Sequence, residues 1–303
     1  MQRHLGPAAL IVFLLVASLG SLAQERGAEE QEAIAAINKL GGGVDVDETK
    51  PGKPVVRENL ARTAIRDGDL RWLAEFTHLR DLDLSGTAIT DAGLANLNRL
   101  TQLRTLICFE TKITGVGLGH LRRLENLQIL NLGATRVSDA GLADLKKLAH
   151  LQELYLHENA LTDAGLRHLQ GMGELRKLVL SYTVITDEGL ARLPELRELH
   201  TLNLAGTKVS DEGLIHLRKF GKLRTLHVRG MKITGAGTGR LRKYLPELVV
   251  IHDGPSWMGL PLTHMGPAGR ATSAPGLLPE SAPKLPSKPI PTGPSPPKEH
   301  LQR

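Results

Sequence analysis

The side chains best suited to nucleophilic or metal chemistry in this chain are one cysteine, Cys108, and 12 histidines. A reactive thiolate needs a cationic or polar setting. Cys108 stands where equivalent segments carry Leu84, Leu132 and Leu156, so it is expected in an apolar core, behaving as a small hydrophobe. A lone cysteine closes no intramolecular disulfide. A metal site needs several ligands around one ion. His120, His168 and His216 recur at equal intervals, which spreads them over separate structural units. His157 and His227 fall on strands three apart in the reading below, roughly 14 Å at ordinary strand spacing. Asp45, Asp47 and Glu48 offer oxygens of the kind calcium takes. The twelfth position from Asp45 is Val56, however, where a calcium loop needs its bidentate acid. There is no G-x-S-x-G, no phosphate loop and no paired acid. These features predict no catalytic residue, no metal, no cofactor and no enzyme activity.

What positions these residues is a repeat of 24 residues starting at Leu79, as in LRDLDLSGTAITDAGLANLNRLTQ and, from Leu127, LQILNLGATRVSDAGLADLKKLAH. Numbered from its first leucine, each unit is apolar at position 4 (Leu82, Leu106, Leu130, Leu154, Leu178, Leu202, Leu226) and at position 6 (Leu84, Cys108, Leu132, Leu156, Leu180, Leu204, Val228). Polar residues alternate with these, the signature of a strand with one buried face. Position 11 is Ile, Val or Leu, and apolar residues at 16, 19 and 22, such as Leu94, Leu97 and Leu100, form one stripe of a short helix. Thr90-Asp91, Ser138-Asp139 and Thr186-Asp187 precede these helices, where their side chains are expected to cap free N–H groups. Strand, turn, helix and turn, repeated, build a parallel sheet backed by helices.

These residues resemble the leucine-rich repeat family. The T-x-[IV]-[TS]-D-x-G-L segment is similar to the repeats of secreted bacterial leucine-rich repeat proteins and of eukaryotic F-box adaptors. The resemblance covers residues 55–252. It implies an α/β solenoid with a curved parallel sheet on its concave face and short helices on its convex face. It further implies protein–protein interaction. An F-box-like adaptor for a ubiquitin ligase would need a helical recruitment domain before the repeats. A leucine-rich repeat enzyme, such as a bacterial ubiquitin ligase, would need a catalytic cysteine domain. Neither is visible in the flanking residues.

About eight repeats occupy residues 55–252, the first of them degenerate, with Glu58 at the core position 4. Residues 1–23 have the build of a signal peptide, with Arg3, an apolar run from Ala8 to Leu19, and Ser21-Leu22-Ala23 as a small-x-small cleavage site. If left uncleaved, this segment would anchor the chain in a membrane. Residues 24–54 predict an N-terminal helical cap whose apolar face is Ala33, Ile34, Ile37 and Leu40. Residues 253–303 carry 12 of the 17 prolines and predict a disordered Pro-rich tail. The predicted location is secreted, periplasmic or on the cell surface.

Net charge is +6, with cations such as Arg122, Arg123, Lys146 and Lys147 near helix C-termini, where the helix dipole favours them. Aromatics make up only 3% of the chain, too few to interleave as nucleic-acid stacking platforms, so no nucleic acid is expected. Positions 5 and 7 should point outward on the concave sheet. Ile107, Phe109, Tyr155, His157, Val179 and Tyr182 then form an exposed patch, with Gly133 leaving a gap between the Phe109 and His157 rings. A cluster of this kind predicts a partner-binding surface for a protein or a surface polymer.

Overall fold

A computed structural model describes residues 27–252. The expected signal peptide at 1–23 and the Pro-rich tail at 253–303 lie outside the described residues. Residues 27–39 form helix α1. Ten strands follow in one open sheet whose spatial order is the chain order. They are β1 (Gly43–Val46), β2 (Val55–Asn59), β3 (Asp81–Asp83), β4 (Thr105–Ile107), β5 (Ile129–Asn131), β6 (Glu153–Tyr155), β7 (Lys177–Val179), β8 (Thr201–Asn203), β9 (Thr225–His227) and β10 (Val249–Ile251). β1 runs antiparallel to β2. Every later pairing is parallel, and equivalent residues stand side by side, as in Leu82↔Leu106 and Leu130↔Leu154.

That register stacks each unit's leucines on those of the next. Leu82, Leu106, Leu130, Leu154, Leu178 and Leu202 are all 0–1% exposed. Cys108 occupies its leucine site fully buried, and burial, with Asp83 a lesser cause, pushes its thiol pKa up. The convex segments are mostly 3₁₀ turns, such as Val116–Arg123 and Gly213–Lys219, with α-helices of four to eight residues elsewhere. Apolar residues spaced by three suit the three-residue turn of a 3₁₀ helix.

The Thr/Ser-Asp pairs do a different job from the capping expected of them. Asp67 accepts from the Thr90 N–H at 2.8 Å and from its hydroxyl at 2.7 Å, one repeat onward. Asp139 holds Thr162, Asp163 holds Thr186 and Asp187 holds Ser210 in the same way. Each aspartate therefore clamps its own unit to the next. This also explains the glycine two residues after the aspartate: a Cβ on Gly189 would lie 2.2 Å from the Asp163 carboxylate. Gly115 stands where the next aspartate of the series belongs, and Ser138 is left without a clamp. The threonine hydroxyl nine residues into each unit makes a second recurrent bond. Thr87, Thr135 and Thr183 donate to the carbonyls of Leu84, Leu132 and Leu180 at 2.6–2.7 Å.

Candidate interaction surface

The concave sheet is less open than its alternation pattern predicts. Strands lie about 4.8 Å apart, so side chains in one row touch their neighbours, and the rows on either side lean over them. Ile107, Tyr155 and Val179 are 2%, 0% and 1% exposed. The expectation that they form an exposed patch is corrected: they are the floor of the surface. Asn59, Asp83, Asn131 and Asn203 share their row, and each accepts from the backbone N–H two residues on, at 2.9–3.0 Å. The row thus alternates between staples of the strand ends and apolar floor. An Asx residue followed two positions later by Ala, Ser or Gly is the sequence signal for those staples, and the alternation reading passed over it.

Tyr155 is covered from one side. Its hydroxyl donates to the Glu153 carboxylate. The Lys177 ammonium sits 5.1 Å from its ring centroid, a distance at which a cation is held by the ring face. Burial, then Glu153, push the Tyr155 pKa up, so it stays a neutral donor. Burial lowers the Lys177 pKa, and Glu153 beside it opposes that shift.

The gap expected over Gly133 is filled. Phe109 and His157 flank Gly133 on either side, yet their rings stack with centroids 5.6 Å apart and planes 22° apart. A Cβ at Gly133 would come within 2.0 Å of His157 Cε1. Glycine is there because the imidazole lies on it. His157 is 4% exposed and neither ring nitrogen has a hydrogen-bond partner. Burial alone lowers its pKa to about 4, so the ring is neutral at physiological pH. Phe109 is half-buried and presents one edge of this stack to solvent.

Tyr182 stands apart from the floor. It follows β7 by three residues, at the margin where each unit turns away from the sheet, and is 45% exposed. Its backbone is left-handed, φ 56°, as is the equivalent residue of every repeat, among them Glu110 at 56° and Glu158 at 56°. That conformation costs a non-glycine residue roughly 1–2 kcal/mol. Val184, two residues on, is 46% exposed. The two make an apolar ledge beside the floor. The sequence reading found Tyr182 but missed Val184, which lies outside the alternating strand pattern.

On the convex side, Asn98, Val116, His120, Arg122 and Arg123 line a shallow cleft. Among the described residues, no three His, Cys, Asp or Glu side chains come together as metal ligands. No helix there is long and apolar enough to cross a membrane.

Comparison with known proteins agrees with this geometry. The chain is similar to internalin C2 from Listeria monocytogenes str. 4b F2365 in its solved structure, with a TM-score of 0.55, 22% identity, and coverage of 75% of this chain and 92% of that one. At that identity the likeness is one of fold. No curated protein sequence matches. A leucine-rich repeat region profile matches residues 63–265, and the chain belongs to the leucine-rich repeat family.

Proposed function

We propose that this chain is an exported, non-catalytic interaction module that takes a protein or surface polymer on its concave face. Ile107, Gly133, Tyr155 and Val179 supply a rigid floor, and Phe109, His157 and Tyr182 supply the contact. The observation that carries this reading is Tyr182, a bulky aromatic held half-exposed in a left-handed backbone beside exposed Val184. Conformational strain retained at an exposed aromatic is characteristic of a recognition surface. Aromatic anchors supply much of the energy of such interfaces. Export is supported by Arg3, the Ala8–Leu19 run and Ser21-Leu22-Ala23. Membership of the repeat family supports an interaction role, since stacked units create an extended concave surface.

The test has two parts. N-terminal sequencing of the protein recovered outside the cytosol should read from Gln24; full-length chain confined to the cytosol refutes export. A partner captured by the wild-type chain should bind at least tenfold more weakly to Phe109→Ala and Tyr182→Ala, the fold being unchanged by circular dichroism. Arg122→Ala, on the convex face, should bind normally. Loss of binding in Arg122→Ala alone would place the site on the other face.

A further inference from the structure

The C-terminal end of the solenoid is bare among the described residues. β10 pairs with β9 through Val249↔Thr225 and Ile251↔His227, and no described strand lies on its other edge. Burial fades toward this edge in a regular way. The third residue of each unit, from Asp81 through Thr225, is half-buried, but its counterpart Val249 is 58% exposed. The fifth residue is buried from Asp83 through Asn203 and only half-buried at His227 and Ile251. Tyr244, in the turn before β10, is 55% exposed, above Leu245 and Leu248 at 3% each. What is missing here is the side-chain cover that a next unit gives every other strand. A terminal solenoid unit needs a covering segment to keep its core from water.

The sequence places apolar residues within reach. Asp253-Gly254-Pro255 follows β10 almost directly, a combination that turns a chain. Trp257, Met258 and Leu260 come next. Five extended residues span roughly 16 Å, more than the distance of about 4.8 Å to an adjacent strand position. The family profile also runs on to residue 265, past the last described strand.

We propose that residues 256–260 fold back across this end and close it, with Trp257 and Met258 seated on Val249 and Tyr244. The edge is thereby occupied by the chain's own segment and withheld from other molecules, since an unpaired edge strand with exposed valine invites pairing with a second copy. This places the end of the folded unit at residue 260 instead of 252. It is independent of the concave-face proposal, because no residue is shared.

Trp72 and Trp257 are the chain's two tryptophans, so Trp72→Phe leaves Trp257 as the only indole reporter in the full chain. Its emission in the folded protein should be blue-shifted from that in guanidinium chloride. Iodide should quench it several-fold less, equally at low and high protein concentration. Adding Val249→Asp should return both readings to the denatured values with the circular dichroism spectrum unchanged. A second measurement does not depend on Trp72. A chain ending at Gly254 should melt about 3–6 °C below the full chain, or form dimers by sedimentation. Emission in the folded state equal to that in denaturant overturns the proposal, as does protection that survives Val249→Asp. Protection that appears only as the protein dimerises gives the edge to a second copy and also overturns it. So does a chain ending at Gly254 that stays monomeric with an unchanged melting temperature.

Discussion

At the N-terminal end, α1 lays Ala33 and Ile37, both 0% exposed, against the first repeat. β1 adds an antiparallel strand through Val44↔Glu58 and Asp45↔Arg57. The Glu30 carboxylate takes the Val55 N–H at 3.2 Å and ties the helix to β2. At the C-terminal end, the last described strand meets no such layer, and Val249 and Tyr244 stay exposed. The repeats between are nearly the same at both ends, so the contrast lies in the flanking sequence. The N-terminal closure is secure enough to hold a buried acid: Glu58 is 1% exposed and neither carboxylate oxygen has a partner. Every later unit has leucine at that place, beginning with Leu82 beside it. A closed end tolerates a polar group in its core, whereas an open one leaves even apolar groups in water.

Matched truncations at the two ends should separate them most sharply. Ile37→Ala removes fully buried carbon atoms and leaves a cavity between α1 and β2, at a cost of ~2–5 kcal/mol. Val249→Ala removes atoms that are mostly in water and should cost less than ~0.5 kcal/mol by itself. Guanidinium denaturation of both variants measures this. Equal costs would mean that the C-terminal end is as well covered as the N-terminal one, in which case the exposure of Val249 would misrepresent the protein in solution.

Glu58 gives the N-terminal end a pH dependence that the C-terminal end lacks. Burial, helped by the nearby Asp45 charge, raises its pKa from the ordinary 4.5 to about 8. The folded protein therefore holds a proton that the unfolded chain gives up above pH 4.5. Stability is undiminished below that pH, falls as pH rises toward 8, and levels off beyond it. Glu58→Leu restores the leucine ladder and removes this slope. At pH 9 it should stabilise the protein by ~2–4 kcal/mol. At pH 5, where only an unpartnered neutral acid is relieved, the gain should be nearer ~1 kcal/mol. Denaturation at the two pH values reads the difference. A gain independent of pH would show that Glu58 is already ionised and solvated in the fold.

Much of this was legible in the sequence because the repeat imposes it. The leucines at positions 4 and 6, the burial of Cys108 and the cap helix with Ile37 all follow from periodicity, which reports which way a residue points. Periodicity does not report what lies above a residue. Tyr155 points away from the leucine core as alternation says, yet it is fully buried, because Lys177 and Glu153 fold over it. The Gly133 gap had the same fate, since His157 leans in from the neighbouring strand. Likewise, Asp139 looks like a helix cap when its own unit is considered alone. Its partner, Thr162, is 23 residues on, a distance at which only the stacking of units brings the groups together.

Those clamps offer the finest test of how the two ends differ. Asp67 is the first of the series and joins the unit under the cap to its neighbour, with Thr90 N–H and hydroxyl both bonded and the contact half-buried. Asp211 is the last of the series among the described residues, and it holds Thr234 through the same two groups at an exposed site. A hydrogen bond to a charged group contributes more when water is kept from competing for it. Breaking the first clamp also frays a junction with structured units on both sides, whereas breaking the last loosens only the final unit. Asp67→Ala should therefore cost ~1–2 kcal/mol, and Asp211→Ala ~0.5 kcal/mol or less. Hydrogen exchange gives a second reading. Asp211→Ala should raise exchange in residues 225–251 alone, while Asp67→Ala should raise it from α1 through β3. If Asp211→Ala instead speeds exchange along the whole solenoid, the units do not unfold separately and the two ends are coupled through the core.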